Sequence, residues 1–158
     1  MIKSIGIIPA RFSSSRFPGK PLVDIGGKTM IQRVYEQAVK SNLDEVVIAT
    51  DDTRIFDHVI AFGGKVVMTN PEHPSGTERC EEAYKQSKSE ANIIINIQGD
   101  EPFIDPIQIN TLLELFNTPE TQLGTLIKAI TDTETLFNTN TPKVIFNDRQ
   151  EAIYFSRQ

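Results

Sequence analysis

The apolar residues of this chain fall into short runs and helical stripes that alternate along its length. The run IGII at 5–8 lies in a strand predicted over 2–8. A loop follows, stiffened by Pro18 and Pro21, and Gly26 and Gly27 mark a turn. Thr29 then caps a predicted helix over 30–40, with Ile31, Val34, Tyr35 and Ala38 at helical spacing. EVVIAT at 45–50 predicts a second strand, ending in Asp51 and Asp52. A helix over 53–62 places Ile55, Val59 and Phe62 on one face, and Gly63 and Gly64 end it. A third strand is predicted at 65–69, a loop at 70–76 and a helix over 77–87. The fourth strand, 92–97, contains Ile93, Ile94 and Ile95. That run is too continuous for half-exposure and predicts a central strand covered on both faces. Asp105 and Pro106 read as N-cap and first residue of a helix to 116. Beyond it the pattern predicts a strand at 123–130, a short helix at 133–137 and strands at 144–146 and 152–155.

Strands alternating with helices predict an α/β fold, a three-layer, open, mostly parallel Rossmann-like sheet. No repeat, low-complexity stretch or linker divides the sequence, so residues 1–158 read as a single domain. Ligands of such sheets bind outside the carboxyl ends of the strands. The loop after strand one, Asp51 with Asp52, and residues 98–101 all fall at those ends. Cations and carboxylates therefore share one edge.

Composition narrows the partners. A net charge of −5 argues against a general nucleic-acid binder, which needs a broad basic face. The single cysteine, Cys80, excludes an internal disulfide and suits a reducing cytoplasm. It falls in a predicted helix without a His–Asp partner and reads as a core filler. His58 and His73 make no zinc set with one thiol, and His58 receives no role. No apolar run approaches the ~20 residues of a membrane-spanning helix. The N-terminus lacks a signal-peptide layout. The closing EAIYFSRQ looks like a strand or its exit, so the expectation is a fragment that continues past Gln158.

The candidate chemistry begins in the first loop. Arg11, Arg16 and Lys20 alternate there with Ser13, Ser14, Ser15 and Gly19, and no acidic residue precedes Asp24. Small residues let backbone approach a polyphosphate, and fixed cations offset its charge. The same composition also fits a solvated basic loop. It is not a Walker A loop: Pro21 follows Lys20, and no glycine lies five positions before Gly19. There is no G-x-G-x-x-G either. Asp100 and Glu101 fit a turn with a capping charge, or a seat for magnesium, which takes one or two carboxylates with phosphates and waters. Paired with the cationic loop, the magnesium reading gains weight. The segment PSGTER is of capping type, and on this edge Ser75 is also placed to hydrogen-bond a base.

Four segments, IIPARFSSSRFPGKPL, TNPEHPSGTER, NIQGDEP and AIYFSR, together closely resemble the 3-deoxy-D-manno-octulosonate cytidylyltransferases, the CMP-KDO synthetases. The resemblance runs the length of the chain, in order. The acylneuraminate cytidylyltransferases share the first motif type, but QGDEP with SGTER and YFSR fits the KDO enzymes better. The resemblance implies a nucleotide-diphospho-sugar transferase type of sheet. It implies that CTP and KDO give CMP-KDO and pyrophosphate for lipopolysaccharide assembly, with Mg2+ as cofactor. It also implies residue roles. Arg11 and Lys20 hold the CTP phosphates, supported by Arg16 and Ser14. Ala10, Ser75 and Arg79 lie around cytosine and ribose. Gln98 sits between nucleotide and sugar, and Asp100 binds magnesium. Arg157 faces the acidic sugar, its guanidinium matching a carboxylate bidentately.

Members of that family continue well past YFSR. A second metal-binding Asp in a GVDTPEDL-like motif, more of the sugar pocket and most dimer contacts lie there. The expectation is therefore a nucleotide-binding portion that binds CTP weakly and turns over little alone, with a homodimer for the full-length protein. Two other readings stand beside it. One is a synthetase for sialic acid or a related ulosonic acid. The other, of a different class, is a non-catalytic CTP-binding module.

Overall fold

A computed structural model of the chain describes residues 3–13 and 17–158. The chain divides into two compact units, residues up to Gly124 and Thr125–Gln158.

The first unit is a parallel sheet with helices on both faces. Its strands are β1 (Ser4–Ala10), β2 (Glu45–Thr50), β3 (Val66–Met68) and β4 (Ile93–Asn96), and its helices are α1 (Met30–Ala38), α2 (Thr53–Ala61), α3 (Gly76–Ser87) and α4 (Pro106–Leu115). The spatial order is β3-β2-β1-β4, with every pairing parallel. Alternation within β1 splits the core in two. Ile8 and Ala10 join Val46, Ile48, Ile93 and Ile95 beneath Ile31 and Val34 of α1, Ile55 and Val59 of α2 and Ile109 of α4. Ile5 and Ile7 join Val47 and Ala49 against Cys80 and Ala83 of α3. Burying one such isoleucine is worth about 1.5–3 kcal/mol, so the run at 5–8 commits β1 to the middle of three layers. Each helix of this unit starts at a capping side chain, Thr29, Asp52, Ser75 or Asp105.

The expectation for strand four is corrected. Among the described residues β4 is an edge strand, buried on one face only, and Ile94 is 44% exposed. Helix α3 packs over β1 and β2, and Ile94 shares its face with exposed Asn92 and Asn96. Three consecutive isoleucines report apolarity, not how many layers cover it.

In the second unit, α5 (Thr133–Phe137) precedes β5 (Lys143–Phe146) and β6 (Ala152–Ser156), which form an antiparallel pair. The strand expected at 123–130 is absent: no described residue pairs with it. The segment has a strand's apolar content, but a strand exists only through its ladder, and among the described residues no strand pairs with it.

Cys80 is 4% exposed, and burial pushes its thiol up to about 12. At pH 8 it is protonated and enclosed, hence inert. A disulfide reagent such as DTNB is expected to label the chain only after unfolding in denaturant. Stoichiometric labelling of the native chain within minutes would contradict this placement.

Candidate functional site

The strand order reverses between β1 and β4. Chain from β1 runs outward to β2 and β3, and β4 then returns to the other side of β1. A crevice forms where such sheets reverse, outside the carboxyl ends of the strands. Here the ladder extends one bond past β4, from the Ile97 N–H to the Ile7 carbonyl at 2.9 Å. The two chains then leave the sheet side by side. Pro9, Ala10, Arg11, Lys20, Pro21, Gln98, Gly99 and Asp100 line a cleft of about 200 Å³ between them. Five residues expected from the sequence, Ala10, Arg11, Lys20, Gln98 and Asp100, thus stand together.

Local chemistry fixes each of them. Gly99 is pressed against β1, and a Cβ there would lie 2.8 Å from the Pro9 carbonyl oxygen. Gly19 has φ +73, and its N–H closes the first loop onto the Phe12 carbonyl at 2.8 Å. Lys20 then opens a 3₁₀ turn, Lys20–Leu22. Phe12 is clamped from outside by the Arg54 guanidinium, 3.3 Å above its ring. Arg54 is held in turn by Asp52, whose carboxyl that hydrogen bond keeps below the usual range. Ser14 and Arg16 lie outside the described residues.

The Lys20 ammonium meets Asp100 Oδ2 at 2.6 Å, with both side chains well exposed. An exposed pair of this kind contributes about 0–1 kcal/mol. It is a weak latch between two groups, each able to take another partner. Among the described residues no cluster of three or more His, Cys, Asp or Glu side chains is arranged to hold a metal. Asp100 is a single carboxylate in the cleft. That donor set fits magnesium only as a cation also ligated by phosphate oxygens and water.

Arg79, expected beside cytosine and ribose, is fully buried. Its guanidinium donates to Asp51 at 2.7 Å and to the Thr69 hydroxyl at 2.5 Å. Its Nε finds no partner among the described residues. An isolated buried cation is prohibitively costly, so Arg79 goes where Asp51 is. Asp51, which sequence reading left without a role, also lies 3.7 Å from Arg11 Nε. The Arg11 guanidinium donates in addition to the Pro71 carbonyl at 3.2 Å. The sequence signal for Asp51 was its place after a buried strand, beside a second carboxylate that serves as a helix cap.

Ser75 is exposed and caps α3, accepting from the Glu78 N–H at 3.2 Å. Its neighbour Gly76 lies against Pro9, where a Cβ would meet the ring at 3.4 Å. The N-terminus of α3 therefore borders the cleft. The loop before it is pinned by Glu82, which accepts from the Asn70 N–H at 2.8 Å and pairs with His73. Those bonds hold the Glu82 carboxyl below its usual range. Arg157 belongs to the second unit, where it donates to the Asn140 carbonyl at 3.3 Å.

Gly99→Ala tests the close approach at the cleft floor. The added methyl meets backbone, so the chain at 98–100 must move away from Pro9. A stability loss of about 1–3 kcal/mol is expected from such overpacking, read by thermal melting. Unchanged melting would contradict the tight contact.

With this geometry in place, comparison with known proteins is direct. The cytidylyltransferase family matches residues 5–158. A relative from Cytophaga hutchinsonii is 60% identical over 158 residues, covering 99% of this chain and 63% of its own length. One from Parabacteroides distasonis is 56% identical over 161 residues, covering 99% and 64%. Both are named 3-deoxy-manno-octulosonate cytidylyltransferase. A solved structure of a CMP:2-keto-3-deoxy-manno-octonic acid synthetase complexed with CTP superposes with TM-score 0.93 at 49% identity, over 98% of this chain and 64% of that one. The chain thus spans a little under two thirds of the length of these relatives. Sheet order, cleft and motifs agree with a match that runs from β1 to the last residue: the chain belongs to the cytidylyltransferase family.

Proposed function

We propose that the protein transfers CMP from CTP to KDO, releasing pyrophosphate, and so activates the sugar for lipopolysaccharide assembly in the cytoplasm. The observation that carries this reading is the cleft between the β1 and β4 exits, where Arg11 and Lys20 stand with Gln98 and Asp100. The printed names of the similar proteins support KDO as acceptor, and the CTP complex of the similar synthetase supports the donor.

In this reading Arg11 and Lys20 bind the triphosphate, and Lys20 exchanges its exposed partner Asp100 for a phosphate oxygen at small cost. The anomeric hydroxyl of KDO attacks the α-phosphorus in line. A bond forms from the sugar oxygen to phosphorus. The bond from phosphorus to the bridging oxygen breaks, pyrophosphate leaves with the electron pair, and the hydroxyl proton passes to solvent. Such transfer depends on positioning and on stabilising charge. Asp100 would hold magnesium, which would neutralise that charge. Ala10 and Ser75 flank base and ribose, while Gln98 lies between nucleotide and sugar. Arg157 pairs with the KDO carboxylate. The protein functions as a homodimer, as the family resemblance implies.

Calorimetric titration of the chain with CTP is the first test. Affinity is expected to rise when magnesium is added, and Asp100→Asn is expected to lose that rise with little change in melting temperature. CTP binding indifferent to magnesium in the unaltered chain would contradict the role given to Asp100. Pyrophosphate release by the protein is expected with KDO and not with N-acetylneuraminate. The reverse preference would assign the enzyme to sialic acid.

A further inference from the structure

Asp51 follows the last residue of β2 and has no part in the chemistry above. Its side chain is only 13% exposed, and its Oδ2 faces two guanidinium groups, Arg79 at 2.7 Å and Arg11 at 3.7 Å. Arg79 is wholly enclosed, and its second amino group donates to Thr69 Oγ1. The Thr69 hydroxyl donates onward to the Thr50 carbonyl at 3.1 Å, tying the cluster to the end of β2. A buried guanidinium persists only when its charge is paired, so Arg79 and Asp51 hold each other in place. The result is a carboxylate with little freedom beside the half-exposed side chain of Arg11. The Pro71 carbonyl accepts from the same guanidinium. One carbonyl acceptor and one carboxylate at ion-pair distance bias the direction of a planar fork that has five donors, leaving others for an anion.

We propose that Asp51, itself held by Arg79, is a positioning residue that aims the Arg11 guanidinium at the triphosphate. The proposal rests on the reading of Arg11 as a phosphate-binding residue. A pre-oriented arginine surrenders less freedom when the ligand arrives, which favours binding. Bare electrostatics has the opposite sign. A carboxylate near a triphosphate repels it, so removing that charge alone would tighten binding. The two effects are therefore separable by direction.

The test is a double-mutant cycle on CTP affinity in the presence of magnesium, using Arg11→Gln, Asp51→Asn and both together. Asp51→Asn is expected to weaken CTP about tenfold in the unaltered chain and less than about twofold in the Arg11→Gln background, as for groups that act through one another. Tighter or unchanged binding by Asp51→Asn, or an equal loss in both backgrounds, overturns the proposal. Unchanged binding by Arg11→Gln overturns the phosphate-binding reading, and the proposal with it. Asp51→Asn leaves a buried cation unpaired. Where it does not fold, Asp51→Asn combined with Arg79→Met removes both charges together, and the same outcomes are read from that pair.

Discussion

The carbonyl oxygen of Pro9 occupies the space that a side chain on residue 99 would need, and the geometry of the cleft follows from that contact. Strands β1 and β4 pair in parallel from Ser4 with Ile93 to Ile7 with Asn96. Their carboxyl ends would normally separate as each chain turns to its next element. Glycine at 99 lets the two backbones stay together past the end of the ladder. Arg11 is carried on one exit and Gln98 and Asp100 on the other, so the width of the cleft is a backbone property. Lys20 reaches it from a loop closed by the bond between Gly19 and Phe12.

The site uses two kinds of ion pair for two purposes. Arg79 and Asp51 are enclosed, and separating them would leave an uncompensated charge in the core. That pair is scaffold. Lys20 and Asp100 are exposed, and their attraction is screened by solvent. That pair is exchangeable. Arg11 stands between, half-exposed, donating to the Pro71 carbonyl and at ion-pair distance from Asp51. A site for a charged ligand would benefit from this gradient, because groups that meet the ligand must be free to change partners while those that aim them must not.

Much of the first unit was legible in the sequence because its signals reinforce one another. Helix α1 carries a cap at Thr29 and a stripe through Ile31, Val34 and Ala38, all three buried. Asp105 with Pro106 marked the start of α4 for equally local reasons. The cleft was legible too, since strand ends in a parallel sheet share one edge whatever the helices do. What escaped depends on partners distant in the chain. Whether Ile94 is covered depends on the reach of α3, not on the residues beside it. Residues 123–130 resemble a strand, and only the absence of a described ladder partner says otherwise. Nothing beside Arg79 in the chain announces its burial, because the group that neutralises it, Asp51, lies 28 positions earlier.

A crystal structure of the chain with CTP and magnesium tests the proposed grip on a triphosphate most directly. The phosphates are expected between the Arg11 guanidinium and the Lys20 ammonium, with the cation on Asp100 and the Lys20–Asp100 bond opened. A triphosphate bound away from the β1–β4 edge, with Lys20 and Asp100 still joined, would contradict the account.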